Sequence, residues 1–62
     1  MFNTLKIDYT DGTRQSVDTE LCGRSMAYEL MRFVFYQDST IACVRFFQQG
    51  KGKPLQIHRD AL

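Results

Sequence analysis

Strict alternation from Thr4 to Tyr9 runs into an Asp11-Gly12 pair, and no other feature constrains the fold of this chain as tightly. Leu5, Ile7 and Tyr9 fall on one face and Thr4, Lys6 and Asp8 on the other, the pattern of a half-buried strand. Asp-Gly after such a strand marks a hairpin, and two turn geometries compete. A two-residue turn pairs Lys6 with Val17 and drives Val17 onto the polar face. A three-residue loop of Thr10, Asp11 and Gly12, with Gly12 left-handed, pairs Leu5 with Val17 and sets Asp8 opposite Arg14. The second geometry satisfies both the apolar face and the charges, so it is the expected one.

The second strand ends near Val17, and Asp18 to Gly23 connects it to a helix. Asp18 and Thr19 offer early helix starts and Ser25 a later one. Glycine is costly inside a helix, so Gly23 places the regular helix from about Arg24 to Gln37. At about 100° per residue, Met26, Ala27, Leu30, Phe33, Val34 and Gln37 share the face expected on the sheet. Tyr28, Arg32 and Phe35 then point away, with Met31 and Tyr36 at the flanks. The C-terminal end is apolar nearly all round, so a competing orientation turns the helix to bury Phe35 and expose Met26.

Asp38-Ser39 forms a turn, and Thr40 to Gln48 reads as the longest strand. Ala42, Val44 and Phe46 take one face; Ile41, Cys43, Arg45 and Phe47 take the other. Apolar residues on both faces place it centrally or against a partner. Gly50 to Lys53 is a flexible turn, Pro54 to His58 a short edge strand, and Arg59 to Leu62 a loose tail. The expected fold is α+β: a β-hairpin, one α-helix and a second β-hairpin (ββαββ), in an antiparallel sheet of order 2-1-3-4 with the helix on one face. Short uncrossed connections favour that order.

Sixty-two residues allow one domain, 1–62, near the lower size limit for folding without a disulfide or metal. A chain this short keeps roughly 40% of its unfolded surface exposed, leaving room for some of its eight aromatic residues at the surface or in an interface. The net charge of +1 predicts no strong general attraction to nucleic acid or membrane. Its distribution is bipolar: residues 1–38 sum to −2 (four cations, six acids) and residues 39–62 to +3 (four cations, one acid). No charged-then-apolar leader and no long apolar run appears, so a cytoplasmic protein without a membrane span is expected, with Cys22 and Cys43 as reduced thiols.

Motifs for chemistry are weak. His58-Arg59-Asp60 matches the letters of a kinase catalytic loop with none of the other kinase elements, and Gly50-Lys51-Gly52-Lys53 lacks phosphate-loop spacing. Two cysteines and one histidine make a poor ligand set, and so short a chain struggles to enclose a pocket. No catalytic residue, metal ligand or cofactor is expected.

Two surface signals remain. Tyr28, Met31, Arg32 and Phe35, with Tyr36 beside them, recur at the spacing that anchors a helix in a partner's groove. Arg45, Phe47, Lys51 and Lys53 form a basic and aromatic set suited to an acidic partner or to stacked nucleotides. The leading expectation is a non-enzymatic module that docks on a larger protein and inhibits or modulates it, with the economy of compact viral or mobile-element inhibitors. The runner-up is a small nucleic-acid-binding regulator. Self-association as a homodimer is the third reading.

Overall fold

The structure is a computed structural model and describes residues 2–62. Its elements are β1 (Asn3–Tyr9), β2 (Arg14–Thr19), α1 (Arg24–Gln37), β3 (Ile41–Phe47), β4 (Leu55–His58) and a final 3₁₀ turn, η1 (Arg59–Ala61). The four strands form one antiparallel sheet in the order β2-β1-β3-β4, and α1 connects the β1–β2 hairpin to the β3–β4 hairpin, as expected for ββαββ.

The β1–β2 hairpin takes the three-residue loop. Leu5 pairs with Val17 and Asp8 with Arg14, and Gly12 has φ +91°, a region that side chains with a Cβ rarely enter. Asp11 stabilises the turn by accepting the Thr13 amide at 2.9 Å and its hydroxyl at 2.6 Å. The same Asp-x-Thr device closes the helix: Asp38 accepts the Thr40 amide at 2.9 Å and its hydroxyl at 2.6 Å. Both carboxyls are held below the usual aspartate range, first by the threonine hydroxyl and then by the threonine amide.

The core joins Leu5 and Ile7 of β1 and Ile41, Val44 and Phe46 of β3 with Ala27, Met31 and Phe35 of α1. Two expectations are corrected here. Ile41 was expected on the face opposite Val44 and Phe46, yet it is buried with them. The reason is a bulge: Asp8 pairs with Cys43 but Tyr9 with Ile41, so Ala42 is an extra residue and the alternation shifts by one. The helix is also turned by about one residue's rotation, roughly 100°, from the face expected on the sheet. Ala27, Met31 and Phe35 lie inside, while Met26 and Phe33 are more than half exposed. The competing orientation is the one adopted.

Arg59 fastens the helix end in that orientation. Its guanidinium donates to the carbonyls of Ile41 (2.6 Å), Asp38 (2.7 Å) and Phe35 (3.1 Å), and it lies 5.1 Å from the centre of the Phe35 ring. A helix end leaves carbonyls without intrahelical partners, and a cation there satisfies them. The segment expected as a loose tail is therefore a clasp over the helix C-terminus. At the other end, the β2–α1 connector is fastened from below. Buried Asn3 accepts the Gln49 amide at 2.8 Å and donates to the Glu20 carbonyl at 3.5 Å, while the Gln48 side chain donates to the Cys22 carbonyl at 3.3 Å.

Candidate functional site

The core face of α1 is filled by Ala27, Met31 and Phe35, with Tyr28, Leu30 and Val34 packed partly against the core, and the outer residues of the helix, Met26, Phe33 and Tyr36 among them, are exposed. They divide into two flanks. On the β2 side, Met26, Leu30 and Phe33 recur at one-turn and two-turn spacing, and Leu21 of the fastened connector joins them. Leu21 is 53%, Met26 58% and Phe33 57% exposed. Together they line a shallow groove of about 670 Å³ whose remaining wall includes Glu20 and Glu29. On the β4 side, Tyr28, Arg32 and Tyr36 border a smaller hollow of about 360 Å³ with Ile57, His58, Ala61 and Leu62.

The helix set expected to meet a partner is thus split. Met31 and Phe35 are core residues and leave the candidate site, because the rotation puts them over β3. Arg32 and Tyr36 are exposed, Tyr36 at 77%. Tyr28 is half-buried and packs against the core, with Arg24 and Arg32 stacked near its ring at 5.7 and 5.9 Å. Such cations cover the ring but leave their own charge in water. Met26, Phe33 and Leu21 were not among the expected contact residues. Their signal was present in the i, i+7 spacing of Met26 and Phe33 and in the competing helix orientation.

The basic and aromatic set is split too. Arg45 and Phe47 lie on the open sheet face, in register with Lys6 and Thr4 of β1 respectively. Lys6 sits 5.1 Å over the Phe47 ring, so this aromatic surface is already occupied by a cation from the same chain. Arg45 donates to Asp8 at 3.3 Å, and Asp8 also pairs with Arg14 at 3.4 Å. The Arg45 Nε is buried without a partner. Lys51 and Lys53 are elsewhere, lining a third groove of about 660 Å³ with Arg24, Tyr28, Gln48 and Pro54 at the start of the helix. The turn that carries them joins the end of β3 to β4 and lies beside Arg24 and Tyr28 of the helix, whereas Arg45 and Phe47 lie on the open sheet face.

Cys22 and Cys43 are free thiols. Among the described residues no three His, Cys, Asp or Glu side chains gather as a metal site. No helix among them is long and apolar enough to cross a membrane. No protein-family model matches the chain, and no curated protein and no solved structure matches it either.

Proposed function

We propose that this chain is a non-enzymatic, cytoplasmic protein-binding module that docks on a larger protein through the β2-side flank of its helix and inhibits or modulates that protein by covering part of its surface. The observation that carries the reading is the exposure of Met26 and Phe33 on a helix whose core face is already filled, with exposed Leu21 of the connector beside them. Burying such side chains the rest of the way contributes about 1–2 kcal/mol each. The geometry suits a helix laid against a partner's apolar groove. Glu20 and Glu29 at the rim select a partner with cations around that groove.

The double substitution Met26→Ser with Phe33→Ser tests this. Affinity capture followed by calorimetry on the purified pair should show binding by the wild type and its loss in the variant, with the circular dichroism spectrum unchanged. Retention of the same partner by the double variant rejects the flank as the docking surface. The nucleic-acid reading has less support, since Phe47 is covered by Lys6 and its cations lie in two places. A steep fall of affinity with salt would favour it.

A further inference from the structure

The sheet has two edges, and they are unequal. β4 is four residues long, follows Pro54 and runs straight into η1. β2 is six residues long, has neither proline nor lysine, and is exposed from Arg14 to Asp18. Natural edge strands are usually blunted by one of those devices, because a free edge is a template for another strand.

The free groups on β2 can be assigned. The Tyr9 amide donates to the Thr13 carbonyl at 2.9 Å. Antiparallel alternation then turns the backbone groups of Thr13, Gln15, Val17 and Thr19 toward β1, and those of Arg14, Ser16 and Asp18 outward. The register with β1 also places the side chains of Arg14, Ser16 and Asp18 on the open face, aligned with Asp8, Lys6 and Thr4.

This strand is complementary to itself. An antiparallel two-fold centred on Ser16 sets Arg14 against Asp18 of a second copy, Ser16 against Ser16 and Asp18 against Arg14. All three are outward-facing positions, so about six backbone hydrogen bonds form in that register. Both charge pairs are of opposite sign, and each is directly opposed across the strands. A slip by two residues in either direction loses both Arg14–Asp18 pairs. We infer that β2 is a homodimerisation edge: two copies join β2 to β2 into one eight-stranded sheet, with paired Arg14 and Asp18 fixing the register.

This inference is independent of the docking flank. The two helices then lie on the same face of the joined sheet, each over its own β3 and separated by several strand widths of about 4.8 Å. Leu21, Met26 and Phe33 of both copies stay open toward the space between them.

Sedimentation velocity over a concentration series tests it, with circular dichroism as the control for folding. The wild type should reach the mass of two chains. Ser16→Pro removes an outward amide that β1 does not use, and should leave a folded monomer. Asp18→Arg and Arg14→Asp each create two like-charge pairs and should weaken self-association at least about tenfold. An equimolar mixture of these two variants restores both opposite-charge pairs and should recover the dimer. If Ser16→Pro fails to fold, the mixing experiment decides alone. A monomer at every concentration, a dimer indifferent to both charge reversals, or a mixture that stays monomeric overturns the inference.

Discussion

Arg59→Ala should remove a large part of the stability of this chain, although the residue sits three positions from Leu62. The guanidinium donates to three carbonyls, two of them at 2.6 and 2.7 Å, and packs on the buried Phe35 ring. Hydrogen bonds from a charged donor are worth about 1.5–3 kcal/mol each when they are well sheltered. Arg59 is only half-buried and water can reach part of the cluster left behind, so about 2–4 kcal/mol for the whole group is the reasonable scale. Total stability for 62 residues is about 3–9 kcal/mol. Urea unfolding followed by circular dichroism should therefore show a midpoint lowered by roughly 2 M or more, using a slope of about 1 kcal/mol/M for a small domain. Arg59→Lys keeps the charge but not the planar fork and should fall between the two. A midpoint for Arg59→Ala within experimental error of wild type would refute the clasp.

Two further outcomes follow from the turns and the connector. Asp11 and Asp38 are held below their usual range in the folded state, so their hydrogen bonds add stability above the unfolded aspartate value of about 4. That stability is lost as pH falls through the lower folded value; chemical denaturation from pH 6 downward should show a decline that is shallower in Asp11→Asn with Asp38→Asn, and an equal decline in both proteins would contradict it. Asn3→Leu leaves the Gln49 amide without its 2.8 Å acceptor and should cost about 1–3 kcal/mol in the same unfolding assay, where a neutral result would show that Asn3 fastens nothing.

The features legible in the sequence were those set by neighbouring residues. Alternation in β1 and the Asp11-Gly12 pair gave the hairpin register, and Gly23 with Asp38 gave the helix limits, because each rests on local backbone chemistry. The strand order followed from short connections. What failed depended on distant contacts. Met26 and Phe33 compete with Met31 and Phe35 for the inside of a helix that is apolar around most of its girth, and periodicity does not rank two such stripes. In the orientation adopted Phe35 packs under Arg59 and shares the core with Ile41, which a bulge at Ala42 turns inward, and neither contact has a local signature. For the same reason Lys51 and Lys53 were grouped with Arg45 and Phe47, although a turn carries them to the helix side. The candidate surface therefore kept its element, α1, and changed its flank.

The methyl groups of Met26 and Met31 test the central claim most directly, since they mark the two faces of α1. With methyl-labelled methionine and a soluble paramagnetic agent, the Met26 resonance should broaden strongly while the Met31 resonance stays sharp. A protected Met26 methyl with a broadened Met31 methyl would place the wrong flank outward and contradict the docking surface described here.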